Sequence, residues 1–303
     1  MKMLIPVSNT CRSVESRSTL SRTSHQKFPN QGVWGRKAFT LIELLIVIAV
    51  ISILASLLVV GVNKAINFSR QVGVKTEMAQ IELALANAAR ELGNVPYIPS
   101  GIILRDDLNY DSTDPIQASS QRLVQMMFPG ITAPVDWNAN GNTTDVTPLT
   151  ADQAWVFFLG GVPYSSGPDG FNRGANPTVA GGKRKGPFYD FKPTRLIKKP
   201  NGFYTYVDSW EAKTKVPLLV YNNISRDPSA LDNDKPTGGP GRYLQTATKL
   251  FNPKGYQIIS AGKDGVFGIP PARPLVFNGY GDIGDGADDQ ANFSDSVLAK
   301  PVD

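Results

Sequence analysis

FTLIELLIVIAVISILASLLVVGV, residues 39–62, decides the reading of this chain. The stretch is 24 residues long and carries one charge, Glu43. As a helix rising about 1.5 Å per residue it reaches roughly 36 Å, enough to cross a hydrocarbon core of about 30 Å with some tilt. A core helix rarely stays apolar on every face for so long, so the pattern favours a membrane span. Arg36 and Lys37 stand just before it, with Ala38 between. The positive-inside rule then puts the preceding residues in the cytoplasm and everything after residue 62 outside. A secretory signal peptide has a shorter apolar region followed by a small-residue cleavage site. Here the small residue, Ala38, comes first.

The charge distribution removes one class of function. The chain has 31 basic and 26 acidic residues, a formal +5. Residues 1–38 hold seven of the basic residues and one acid, which leaves 24 basic against 25 acidic in the remainder. The body of the protein therefore offers no electrostatic footprint for nucleic acid. Cys11 and His25 are the only cysteine and histidine, and both lie before the apolar run. A chain trimmed at residue 38 would have no disulfide, no thiolate nucleophile and no histidine for a zinc site or a serine relay. No phosphate-cradling loop or dinucleotide fingerprint is present, and the reading is that the chain is not an enzyme.

Glu43 needs a partner, because a carboxylate this far into a membrane helix is costly alone. An interfacial position helped by the helix dipole would lower the cost, and so would a charge from another subunit. The sequence Arg36-Lys37-Ala38-Phe39-Thr40-Leu41-Ile42-Glu43-Leu44-Leu45, followed by an apolar helix, resembles the type IV prepilin signature. The resemblance implies a leader at 1–38 and cleavage between Ala38 and Phe39 by a prepilin peptidase. It also implies methylation of the new Phe39 amine, and assembly through Glu43, which meets the amino terminus of a neighbouring subunit. Ala38 stands where the family has Gly, and Val60 stands where many members have a kinking Pro.

The helix continues past the membrane. Met78, Ile81, Leu85, Ala88 and Leu92 recur at spacings of 3, 4, 3 and 4 and form one apolar stripe, with Lys75, Glu77, Glu82, Arg90 and Glu91 on the remaining surface. Gly93-Asn94 and Pro96 end it. One helix over 39–93, with 39–62 in the membrane, would be roughly 80 Å long, and its distal half must pack on a globular head at 94–303. Short strands are predicted at 155–159, 203–207 and 216–221, a small helix ends at Met126-Met127-Phe128, and 181–185 and 232–241 read as exposed loops. The fold class is α+β and pilin-like: a long N-terminal helix on an antiparallel sheet with loop-rich insertions.

Two stretches suit a hard cation. The sequence from Tyr256 to Gly265 reads as a strand entering a glycine turn, and 281–293 carries clustered aspartates on a Gly-rich backbone. Ca²⁺ takes six to eight oxygens from such groups, although a solvated acidic loop has the same composition. The order strand, S-x-G-x-D-G, insertion, D-D resembles the calcium loop of major type II secretion pseudopilins. That resemblance implies Asp264 and one or both of Asp288 and Asp289 as side-chain ligands, with Ser260 and the Ile259 carbonyl beside them. The segment Asp208-Ser209-Trp210 faintly resembles another stretch of the same family. Separately, Asp136, Asn138 and Asn140 with Gly141 match the first half of an EF-hand loop. Thr147 stands where the bidentate Glu would be, so a turn cluster is the competing reading.

These features imply a structural subunit of a type II secretion-like pseudopilus. Its partners would be further copies of itself, minor pseudopilins, the prepilin peptidase and the inner-membrane assembly platform. It would be single-pass in the inner membrane with a periplasmic head, and filamentous after assembly. A type IV pilin or a pilin-anchored adhesion or binding protein is the alternative.

Overall fold

The computed structural model describes residues 39–210, 215–224, 236, 239–246, 249–268, 288–294 and 297–298. The leader at 1–38, most of the loop at 232–241 and the acidic stretch 281–287 lie outside these residues. The chain divides into two compact units, Met1–Leu57 and Leu58–Asp303. In the first, the residues described are Phe39, Thr40 and the opening of helix α1 (Leu41–Glu91), and all are exposed. Leu41 is 81% exposed and Leu57 68%, which is the state of an apolar surface whose solvent is lipid or another chain.

The second unit holds the rest of α1 and the head. Exposure continues to residue 66 and gives way from Val74, where α1 buries Val74, Glu77, Met78, Ile81, Ala84, Leu85, Ala88 and Ala89. The 3-4-3-4 stripe is thus the face that meets the core. Met78, Ile81 and Leu85 are each at most 1% exposed, and truncating one of them to Ala costs about 2–5 kcal/mol. Gly93 (φ +90°) and Asn94 (φ +54°) stop the helix in left-handed conformations, and the Asn94 and Val95 amides return to the Arg90 and Ala89 carbonyls. A Cβ on Gly93 would stand 2.1 Å from the Met126 carbonyl oxygen, so only glycine fits this approach.

The head is built from short pieces. Strand β1 (Ile102–Arg105) pairs antiparallel with β2 (Val146–Leu149) across α2 (Pro115–Met127), which Asp114 caps by accepting from the Ile116 amide at 2.9 Å. Helix α3 (Ala154–Gly160) follows, then β3 (Pro163–Tyr164) with β4 (Gly167–Pro168) and β5 (Phe171–Asn172) with β6 (Arg184–Lys185). Strand β7 (Leu196–Lys198) pairs with β8 (Tyr204–Tyr206). The three-stranded antiparallel sheet has the order β13-β12-β9, from β9 (Leu219–Asn222), β12 (Tyr256–Ser260) and β13 (Gln290–Ala291), while β10 (Leu244–Thr246) pairs with β11 (Lys249–Leu250).

Three sequence expectations are corrected. Residues 155–159 form the middle of helix α3, not a strand, and all seven residues of that helix are buried. An apolar run buried on every side has no period to separate helix from strand. Residues 184–185 of the expected loop pair as β6. Glu77, read as surface, faces inward at 9% exposure. Its carboxylate is gripped by Arg195, with Nη1 to Oε1 at 2.8 Å and Nη2 to Oε2 at 2.7 Å. The Tyr189 and Tyr206 hydroxyls donate to Oε1 at 3.0 and 3.3 Å, and the guanidinium lies over the Tyr206 ring at 4.4 Å. Burial raises the pKa of both phenols, and the Glu77 charge adds to it.

Candidate functional site

The first site is the start of α1. Ala38 lies outside the described residues; Phe39 is 80% exposed. Thr40 and Glu43 form a capping box: the Thr40 amide and Oγ1 each donate to Glu43 Oε2 at 2.8 Å, and the Glu43 amide returns to Thr40 Oγ1 at 3.2 Å. The T-x-x-E spacing in the sequence was the signal for this, and it had been read only for the charge. Within one chain, the carboxylate is therefore held by its own helix terminus.

The second site is an acid pocket at the end of the three-stranded sheet. Strand β12 delivers Ser260 into a turn whose Gly262 (φ +66°) and Gly265 (φ +70°) are left-handed. A Cβ on Gly262 would stand 2.2 Å from the Asp288 carbonyl oxygen and 2.8 Å from its Cγ. Glycine thus lets the Asp288–Asp289 pair close onto the turn. Asp288 Oδ2 accepts from the Lys263 amide at 2.5 Å and the Asp264 amide at 2.9 Å, and Asp264 Oδ1 accepts from the Val266 amide at 2.8 Å. Ser260 Oγ donates to Asp208 Oδ2, a residue that sequence reasoning had not placed in the site. Asp208 Oδ1 accepts from the Trp210 amide at 3.0 Å, and Trp210 Nε1 donates to Gln290 Oε1 at 2.9 Å. The segment after β8 is thereby sewn to both β12 and β13.

Asp289 is the unusual member. It has no solvent exposure, its Oδ2 accepts from the Gly268 amide at 3.0 Å, and its Oδ1 has no hydrogen-bond partner among the described residues. Burial pushes its carboxyl up to about 8, and the charges of Asp288, Asp264 and Asp208 push the same way. Burial likewise raises Asp208. The Tyr243 hydroxyl, also buried and without a partner among the described residues, is raised by burial and then by the Asp289 charge. An orphaned buried carboxylate oxygen among three further carboxylates is costly, and the raised carboxyl lowers that cost by holding its proton. Among the described residues no three His, Cys, Asp or Glu side chains are arranged to hold a metal ion. A cation here would have to draw on hydroxyl and carbonyl oxygen as well as carboxylate.

Asp136, Asn138 and Asn140 gather elsewhere, around Asp145 and Asp106. Asp136 Oδ1 and Oδ2 accept from the Asn140 and Gly141 amides at 3.1 and 2.8 Å. The Asn138 and Asn140 side-chain amides donate to Asp145 Oδ2 at 3.1 and 2.7 Å, and the Asn142 amide donates to its Oδ1. Asp106, 2% exposed, accepts from the Trp137 and Asp145 amides at 3.3 Å each, and burial pushes its carboxyl up to about 6.

Residues 35–59 match the family description "Prokaryotic N-terminal methylation motif". Comparison with curated proteins and with solved structures returns no match. By length and composition α1 can cross a membrane, which fits a single-pass anchor. With the methylation motif at the head of a long apolar helix and small antiparallel sheets behind it, the chain is type IV prepilin-like.

Proposed function

We infer that the protein is a structural subunit of a pseudopilus of the type II secretion kind, and not an enzyme. Prepilin peptidase would release it between Ala38 and Phe39 and methylate Phe39. The mature helix would then join copies of itself and minor pseudopilins on an inner-membrane platform, with the head in the periplasm. The observation that carries this reading is the methylation motif at 35–59, set on a helix whose residues are exposed from 39 to 66. Glu43 supports it: a carboxylate already held by Thr40 can wait in lipid and then receive the methylated amine of a neighbour.

The experiment is the intact mass and N-terminal sequence of the protein from membranes of its host. A chain beginning with N-methylated Phe39 is expected. An uncut chain, or one cut after residue 62, would end the pseudopilin reading.

The acid pocket is read as a Ca²⁺ site, with Asp289, Ser260, Asp264 and Asp288 supplying oxygens and Asp208 bracing Ser260. Bound Ca²⁺ would supply the positive charge that the buried carboxylates lack. A melting temperature that rises with Ca²⁺ and falls with chelator is expected, and an unchanged one would remove the site.

A further inference from the structure

A short neck of α1, residues 63–72, lies between the apolar run, which ends at Val62, and Val74, the first residue buried in the head. The neck keeps apolar side chains in the open: Ile66 is 46% exposed, Phe68 67% and Val72 48%. It also carries Lys64 and Arg70, both exposed and without an ion pair among the described residues. No acid stands anywhere between Glu43 and Glu77. Exposed apolar groups beside cations that nothing neutralises call for a surface that is both apolar and anionic.

The arrangement around the helix separates the surfaces that could cover it. Lys64, Phe68 and Val72 recur four apart along one face, whereas Ile66 and Arg70, also four apart, lie on another. Each face thus joins a cation to an apolar side chain. A helix lying flat on a membrane, or packed on one neighbour, collects its apolar residues in a single stripe. A helix standing upright through a headgroup layer meets lipid on every side and needs both kinds of group all round. The depth agrees, because Lys64 to Arg70 rises about 9 Å and each headgroup layer is roughly 5–8 Å deep.

We propose that the neck binds anionic lipid headgroups in the leaflet nearest the head, with Lys64 and Arg70 on the phosphates and Phe68 at the acyl boundary. Side chains lean towards a helix's N-terminus, so Phe68 reaches back towards the acyl chains while the long Lys64 stem rises to the phosphates. The proposal rests on the membrane-anchor reading of α1 and adds a lipid class to it. Val74 follows Arg70 by four residues, so the contact would hold the head roughly 6 Å clear of the phosphates.

The test puts a reporter in the neck. The full-length chain carrying Phe68→Trp is reconstituted in vesicles of mixed phosphatidylcholine and phosphatidylglycerol, with bromine on the acyl chains of one lipid or the other. Emission of the introduced indole, taken as the difference from the unsubstituted chain, reports which lipid stands beside the neck. Brominated phosphatidylglycerol should quench about fivefold more strongly per lipid than brominated phosphatidylcholine, the size of one cation's attraction to an anionic surface. High salt should weaken the preference. Adding Lys64→Gln with Arg70→Gln should abolish it, and adding Arg90→Gln, farther along α1, should leave it unchanged. All of these side chains are exposed, so the fold of the head is not at stake. Equal quenching by the two lipids, or a preference that survives Lys64→Gln with Arg70→Gln, overturns the proposal. Quenching by neither lipid in a chain that stays with the vesicles also overturns it and puts a second copy on the neck. A chain that does not stay with the vesicles removes the anchor reading and the proposal with it.

Discussion

The loop at 136–145 and the acid pocket of Ser260, Asp264, Asp288 and Asp289 are both carboxylate clusters on glycine turns, yet they solve their charge differently. In the first, every oxygen of Asp136, Asp145 and Asp106 receives a donor from the chain itself, three of them side-chain amides converging on Asp145. In the second, asparagine is replaced by aspartate, and the donors are backbone amides that reach Asp288 and Asp264 but leave Asp289 Oδ1 bare. Asparagine brings its own proton donors and so completes a carboxylate cluster. Ionised aspartate brings only acceptors, and a cluster built from it must keep a proton or take a cation.

The contrast is broken most directly by adding the ion. Ca²⁺ at about 100 times its dissociation constant should stabilise the full chain by about 2.7 kcal/mol. Asp289→Asn should lose that gain in a calorimetric melt, whereas Asp136→Asn should keep it; retention of the full gain in Asp289→Asn would sink the assignment. Next in size, Asp145→Ala strands the amides of Asn138, Asn140 and Asn142 and should cost about 1–3 kcal/mol, measured by denaturant unfolding. That loss should be equal with and without Ca²⁺, and a loss that Ca²⁺ repairs would make the 136–145 loop a cation site after all.

The pH dependence separates the two regions further. Without Ca²⁺ the folded state keeps a proton on Asp289 up to about pH 8, while the unfolded chain releases it near about pH 4. Between these values the folded state binds more protons, so stability is greatest below the lower value and is lost as pH rises towards 8. The slope has a ceiling of about 1.4 kcal/mol per pH unit for one proton, and Asp289→Asn should flatten it in melts taken from pH 4 to 8. Smallest of all, Asp136→Asn should shift stability by under about 1 kcal/mol at any Ca²⁺ level, because it keeps an acceptor for the Asn140 or Gly141 amide.

Much of this molecule was legible in its sequence, and the gaps have physical causes. The apolar stripe at Met78, Ile81, Leu85, Ala88 and Leu92 is buried as its spacing requires, because helical period and core contact are the same fact seen twice. Glu77 was misplaced on the surface, although the buried positions 74, 77, 78 and 81 put it on the stripe. An acid at such a position announces a buried partner, but nothing local names Arg195, 118 residues away. Asp208 joined Ser260 for the same reason: their separation of 52 residues is closed by pairing between strands. The capping box was fully local and could have been read from Thr40 and Glu43 alone.

The docking of α1 also has a consequence in time. Lys75 Nζ donates to the Ala291 and Ser294 carbonyls, 216 and 219 residues further along, so one of the first helical turns of the head is fastened by a segment made much later. Contacts of such long range close late in folding. The face containing Val74, Met78 and Ile81 shares its core with Tyr206, Val220 and Ile258, so a nascent chain holds it uncovered until those residues have emerged. A product ending before residue 256 would lack β12, and its helix would remain a hydrophobic flag visible to chaperones and proteases.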